Sequence, residues 1–262
     1  MKKPKVSILM TVFNHQKYIN SSINSILSQT FRDFEFVIID NGSTDESGRI
    51  IKKVKDKRIK FFNFKKNIGR TKCLNYGLKK CRGKYIAVQD SDDQSKKDRL
   101  KIQFNFLEKN LDIGLIGSSY NIIDNKSRVV KKKKINFDLY KYPNKILFNN
   151  IIAHSTVMYR NKIMKQIGGY PKKFIYAQDY AFYLRLIKNH KIKLISKILV
   201  NLRLSHKDSE TFRLKRSISI QLEEIRLILW IIKNIKTNFI EKIKIFLKLS
   251  LTILKIFRAC LN

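Results

Sequence analysis

"VSILMTVF", residues 6–13, is a short β-branched run followed by the helical pattern "YINSSINSILSQT" (18–30) and a second apolar run, "FEFVIID" (34–40). A strand that carries apolar side chains on both faces needs cover on both, which a parallel sheet flanked by helices provides. The alternation continues through a polar helical segment near Glu46 to Lys55, then "RIKFFNF" (58–64), the helical "GRTKCLNYGLKKC" (69–81) and "KYIAVQD" (84–90). The pattern predicts an α/β fold: a doubly wound, Rossmann-like, mainly parallel sheet with helices on both faces. Ligands of such sheets bind beyond the carboxyl ends of the strands, and the chemistry is sought there.

The 262 residues suffice for one large domain or two small ones, and 56 Lys+Arg against 20 Asp+Glu leave a net charge of +36. That excess suits nucleic acid, anionic lipid or phosphorylated substrates, or else is a compositional bias spread over the whole surface. A nucleic-acid-binding protein would interleave Lys and Arg with exposed aromatics, or carry a helix-turn-helix or RNA-binding signature. Neither is visible, and acids at successive strand ends oppose a phosphate-binding groove. Cys73, Cys81 and Cys260 are odd in number and lack C-x-x-C spacing, so they read as reduced, packed thiols of a cytosolic protein. The opening "MKKPKVSILMTVFN" reads as a first strand rather than a signal peptide, because Asn14, His15 and Gln16 follow with no small-residue cleavage site. No stretch approaches the roughly 20 apolar residues of a spanning helix. Lys131 to Lys134 read as a solvated loop, and His15 and His190 as surface residues.

Three strands end in polar groups: Phe13-Asn14, Asp40-Asn41-Gly42-Ser43 and Asp90-Ser91-Asp92-Asp93. Asp90 and Asp92 are two apart, so on an extended chain both carboxylates share one face. Such a pair either holds a hard cation, Mg²⁺ or Mn²⁺, whose shell substrate phosphates complete, or supplies an N-cap to the following helix through Asp92 or Asp93. Asp40 can accept from a nucleobase N–H or ribose hydroxyls, or simply end a strand-turn-helix connection in which Gly42 permits the tight turn. Asp179, in "FIYAQDYAFYLRLIKNH" (174–190), falls in the first turn of a helix, where an acid is also a favourable cap.

Residues 6–45, "VSILMTVFNHQKYINSSINSILSQTFRDFEFVIIDNGSTD", resemble the nucleotide-binding half of the glycosyltransferase family 2 enzymes with the GT-A fold. "NIGRTKCLNYGL" (67–78), "DSDD" (90–93), "AHSTVMYR" (153–160), "IGGY" (167–170) and "AQDYAFYLRL" (177–186) follow in that family's order. The resemblance implies that Thr11, Val12 and Phe13 line the base, and that Asp40 contacts uracil or ribose. It places Asn67 and Arg70 along the nucleotide, Asp90 and Ser91 beside ribose and metal, and Asp92 on Mn²⁺ or Mg²⁺. Asp179 would be the general base, with His154, Gln178 and His206 as candidate contacts to acceptor or diphosphate. Two positions depart from the pattern: Thr11 replaces a common proline, and Gln178 replaces the glutamate that usually precedes the catalytic Asp. The implied reaction moves a sugar, with inversion, from a nucleotide-diphospho-sugar, UDP-linked by preference, to a hydroxyl of a glycan or lipid-linked acceptor in cell-surface polysaccharide synthesis. A hydrolase of nucleotide sugars or glycosides would also use paired carboxylates.

These readings divide the chain into a catalytic domain, 1–210, with a nucleotide half to about 95 and an acceptor half from 96, and a helical tail, 211–262. The tail holds eleven Lys+Arg and three Glu among many Ile, Leu and Phe. At about 100° per residue, Lys244, Lys248 and Lys255 cluster opposite Phe246, Leu249, Ile253, Ile256 and Phe257. That predicts peripheral attachment to the cytoplasmic face of an anionic membrane, against the alternative of a helix packed on the catalytic domain with its lysines in water.

Overall fold

A computed structural model describes residues 3–141, 144–203 and 218–261, with side chains as far as Ile256. The candidate His206 lies outside the described residues. The first half alternates as expected: β1 (Val6–Val12), α1 (Ile19–Leu27), β2 (Phe34–Asp40), α2 (Ser47–Lys53), β3 (Ile59–Asn63), α3 (Arg70–Lys80) and β4 (Tyr85–Val88). These four strands pair in parallel in the order β3-β2-β1-β4. β1, β2 and β4 bury nearly every side chain, as strands covered on both faces must.

The second half extends the same sheet. It contains β5 (Gln94–Ser95), α4 (Arg99–Lys109), β6 (Ile113–Ile123), β7 (Val129–Lys133), β8 (Phe137–Asp138) and α5 (Asn144–Leu147). Then come β9 (Met158–Arg160), α6 (Asn161–Gln166), α7 (Gln178–Ile187) and β10 (Lys191–Arg203). β9 pairs antiparallel with both β4 and β6, while β6 and β10 run parallel. Apolar side chains form one cluster on each face of the sheet; Tyr159, Phe182 and Leu194 belong to the first, and Ile19, Phe36 and Leu100 to the second.

Two sequence expectations change here. Lys131 to Lys133 lie not in a loop but in β7, an exposed strand paired to β6, where lysines keep an edge from joining another sheet. Gln94 and Ser95 form a strand against β10, so α4 starts at Arg99 with Asp98 at its N-cap, and neither Asp92 nor Asp93 caps it.

The tail folds as two helices, α8 (Ile218–Asn234) and α9 (Phe239–Leu261). Asn238 and Glu241 cap each other reciprocally at the start of α9, with N···O distances of 2.8 and 3.0 Å. Leu227, Ile228 and Ile231 of α8 are buried in the cluster that holds Tyr159 and Phe182. At about 1.5–3 kcal/mol for each fully buried side chain, α8 is firmly docked. α9 packs on α8 through Ile245 and Thr252, and Lys248 pairs with Glu224 at 3.0 Å and donates to the Phe148 carbonyl. Lys248 therefore faces inward, and Leu249 packs against the core rather than lying on an outward apolar face.

Candidate active site

The carboxyl ends of β1, β2 and β4 open side by side, since Val12 is in register with Asp40 and Leu9 with Val88. At the end of β2 the Asp40 Oδ1 accepts from the Ser43 amide (3.0 Å) and hydroxyl (2.6 Å) and closes the turn. Gly42 at its centre has φ +75°, and a Cβ there would stand 2.4 Å from the Lys66 carbonyl carbon, so only glycine lets the turn meet the 66–67 segment. Asn41 donates to Asn67 Oδ1 at 3.0 Å, which ties that segment to the sheet. A cleft of about 360 Å³ lies here, lined in part by Asp40, Ser43, Thr44 and Asn63. At the end of the neighbouring β1, the Val12 carbonyl accepts from the Asn41 amide at 2.8 Å, Thr11 is half-buried and Phe13 is exposed.

At the end of β4 the acids gather. Asp90 Oδ1 receives Arg70 Nη2 at 2.5 Å and lies 3.4 Å from His154 Nδ1. Burial by itself would raise the Asp90 carboxyl, but Arg70 and His154 outweigh it and hold it well below the usual carboxylate range. His154 is buried, 3.2 Å from Arg70 Nη2, and its Nε2 is 2.9 Å from the Tyr170 hydroxyl. Arg70 is raised above its ordinary value by Asp90 first, with Asp179 and Asp92 adding. Burial raises Asp92, His15 opposing and Asp90 adding to the rise. Burial, then Asp92 and Asp90, push Asp93 well up; its Oδ1 accepts from the Arg203 amide at 2.8 Å.

Asp179 stands in the first turn of α7, half-buried, with Asn150 donating to its Oδ2 at 3.0 Å and the Tyr180 amide to its Oδ1 at 2.8 Å. Gln178, named from sequence as a contact to acceptor or diphosphate, is 3% exposed, and its amide, assigned with the nitrogen toward the two neighbouring carbonyls, donates to Ile175 (2.7 Å) and Tyr176 (3.1 Å).

Sequence reasoning passed over three residues. His15 is not simply on the surface: it is half-buried, and its Nδ1 is 2.6 Å from the buried Ser91 hydroxyl. Asn150 carries no motif. Arg99 is fully buried behind β4, giving all its donors to Gln89, Ser95, Gln103 and the carbonyls of Val88 and Val157. Burial lowers it to about 9, while Asp93 and Asp90 oppose the shift. Nothing in "SKKDRL" separates Arg99 from the solvated lysines beside it.

The chemistry of the donor set fits Mg²⁺ or Mn²⁺. Asp92 offers hard oxygens beside a second carboxylate, and no hydrogen bond or ion pair to another side chain occupies its carboxylate among the described residues. No group of three or more His, Cys, Asp or Glu side chains converges among the described residues. A cation held by one or two carboxylates would thus complete its shell with water and phosphate, as Mg²⁺-type ions do.

The mainly parallel sheet with helices on both faces, and with acids and a paired arginine at the carboxyl ends of its strands, has the architecture of a GT-A glycosyltransferase. The chain belongs to glycosyl transferase family 2, whose family model matches residues 7–185. An uncharacterised glycosyltransferase of Methanocaldococcus jannaschii is 37% identical over 222 residues, 82% of this chain and 76% of that protein. The O-antigen biosynthesis glycosyltransferase WbnJ of Escherichia coli is 33% identical over 215 residues, 78% of this chain and 82% of its own. Among solved structures, S. aureus TarS 1–349 in complex with UDP-GlcNAc aligns with TM-score 0.73 at 22% identity, over 97% of this chain and 73% of that one. The mannosyltransferase PcManGT of Pyrobaculum calidifontis, in complex with GDP-Man and Mn²⁺, aligns with TM-score 0.66 at 14% identity, over 99% and 74%. Both structural likenesses establish the GT-A fold.

Proposed function

We propose that this glycosyltransferase moves a sugar from a UDP-sugar to a hydroxyl of a glycan or lipid-linked acceptor, with inversion, in cell-surface polysaccharide synthesis. The observation that carries the reading is the cluster at the end of β4, where Arg70 is bonded to Asp90 and both meet His154, so that side chains of the two halves close on one site. The UDP and UDP-GlcNAc complexes of TarS and the O-antigen role in the name of WbnJ support the donor and the pathway. Residues 1–95 would hold the nucleotide: Thr11, Val12, Phe13 and Asp40 at the base and ribose, Asn67 and Arg70 along the nucleotide, Asp90 and Ser91 near the ribose. Residues 96–210 would hold the acceptor.

Asp179 takes the proton of the acceptor hydroxyl as its oxygen attacks the anomeric carbon opposite the diphosphate. The bond from that carbon to the diphosphate oxygen breaks, and UDP leaves with the electron pair. Asn150 fixes the Asp179 carboxylate so that its base oxygen is aimed before the acceptor arrives. Arg70 places positive charge on the donor side. Mn²⁺ or Mg²⁺ on Asp92, with Asp90 as second ligand, would neutralise the departing diphosphate; the Mn²⁺ complex of PcManGT supports a metal.

No helix among the described residues is long and apolar enough to cross a membrane. The exposed side of α9 nevertheless carries Phe239, Ile240, Ile243, Phe246, Leu247, Leu251 and Leu254. At about 100° per residue these share one broad arc, flanked by exposed Lys242 on one edge and by Lys244 and Lys255 on the other. That arrangement suits a helix lying in the interface of an anionic membrane on its cytoplasmic face, beside a lipid-linked acceptor.

The chemistry is tested with UDP-glucose, UDP-galactose and UDP-GlcNAc in Mn²⁺, read as UDP release with water as the acceptor whose proton passes to Asp179. Asp179→Asn is expected to bind donor as wild type does and to lose turnover by roughly 10²–10⁴. Unchanged turnover removes Asp179 from the mechanism, and loss of folding assigns it to the helix cap alone.

A further inference from the structure

The loop that leads into α7 is held from three sides. Glu223 of α8 is 4% exposed, and its carboxylate accepts three consecutive amides: Ile175 on Oε1 at 2.6 Å, and Tyr176 and Ala177 on Oε2 at 3.0 Å each. Successive N–H groups converging on one anion form the concavity that backbone otherwise offers to phosphate or carboxylate ligands. The carbonyls of Ile175 and Tyr176 point to the Gln178 amide, and the Phe174 carbonyl accepts from Thr71 at 2.8 Å, one residue past Arg70 on α3. Ala177, at the N-cap of α7, supplies no side-chain cap, so this clamp does the work of fixing where the helix begins. Asp179 is two residues further on.

The same contacts explain Gln178. A glutamate there would turn a second acceptor toward two carbonyls, whereas an amide can donate to both.

We propose that Glu223 is a positioning residue for sugar transfer, holding the 175–177 loop and thereby the aim of Asp179. This rests on the reading of Asp179 as the base. It gives the first tail helix a place in the reaction: the side chain that sets the loop enters from outside the 7–185 segment that defines the family. The loop amides are held by Glu223 while the Ile175 and Tyr176 side chains stay exposed, 60% and 38%.

The test uses the full chain and the variants Glu223→Ala, Glu223→Gln, Asp179→Asn and Asp179→Asn/Glu223→Ala. UDP release from the same three UDP-sugars in Mn²⁺ is measured with donor KM and amide hydrogen exchange of 174–180. Glu223→Ala should lower kcat about 10- to 100-fold, the effect of misplacing a catalytic group by roughly an ångström. Donor KM should change less than about twofold, exchange at 175–177 should accelerate, and Glu223→Gln, which still accepts, should recover part of kcat. The double variant should be no slower than Asp179→Asn alone, because a residue acting through Asp179 has nothing left to aim. Three results would overturn the proposal: a folded Glu223→Ala with wild-type kcat, a multiplicative double variant, or failure of both Glu223 variants to fold. Wild-type turnover in Asp179→Asn would instead overturn the reading of the base, whatever Glu223 does.

Discussion

Cys73 lies beneath Asn41, with its thiol 3.1 Å from Asn41 Oδ1, and burial together with the nearby Asp40 pushes it up to about 12. Cys81 is raised to about 12 as well, by burial and by Glu35. At pH 8 each thiol is then ionised to an extent on the order of 10⁻⁴, and only the thiolate reacts. Iodoacetamide at that pH should leave Cys73 and Cys81 unlabelled in the native protein and label both in urea, as read by peptide mass spectrometry; native labelling of either would contradict their placement. The packing of these thiols was legible, since neither had a partner at disulfide or metal spacing. The acids of 90–93 were legible for a similar reason: they sit within four positions of one another after a buried strand. Glu223 and His15 were not, because their partners are 46 to 48 and 76 residues away and no local pattern marks them. The Asn14, Asp45 and Gln16 bonds that pin the His15 loop likewise cross about 30 residues.

β1, β2 and β4 were readable because strands buried on both faces are short, mostly apolar, β-branched runs, and here polar helical segments separate them. β5 was not readable: two polar residues become a strand only because β10 lies beside them, and that choice moves the start of α4 to Arg99. β7 is the same case, five exposed residues ordered by β6. In the tail, composition suggested one amphipathic stretch, but the Asn238-x-x-Glu241 capping box divides it, and the two helices face different surroundings. α8 buries three large aliphatic side chains in the main core, while α9 leaves a wide apolar arc outward. Removal of residues after Asn234 should therefore keep the fold and the Glu223 clamp. In flotation, the full chain should rise with vesicles containing anionic lipid, less so as salt increases, and the truncated chain should not. A full chain that stays unbound at low salt, or a truncated one that still floats, would contradict the interfacial role of α9.

Across the whole molecule, the acids at the strand ends stand inside a protein of net charge +36. On the proposed reading, a broadly positive field would draw a dianionic nucleotide-sugar toward the cleft, and the local carboxylates would require a cation before the diphosphate could settle beside them. The order of the motifs made the GT-A sheet foreseeable over its first half; the antiparallel β9 at its centre and the docking of α8 were set by tertiary packing that no window of sequence contains. On the proposed reading, the acidic cluster at the end of β4 binds a nucleotide-sugar through a divalent ion on Asp92. The most direct measurement is the thermal unfolding of the full chain with UDP-sugars, in Mn²⁺ and in excess EDTA, repeated for Asp92→Asn. A donor at one hundred times its Kd stabilises by about 2.7 kcal/mol, which raises Tm by roughly 5–10 °C in a chain of this size. The account predicts that rise for wild type in Mn²⁺, its disappearance in EDTA, and little or none for Asp92→Asn. Equal stabilisation in EDTA and in Asp92→Asn, or none from any nucleotide-sugar, would contradict it.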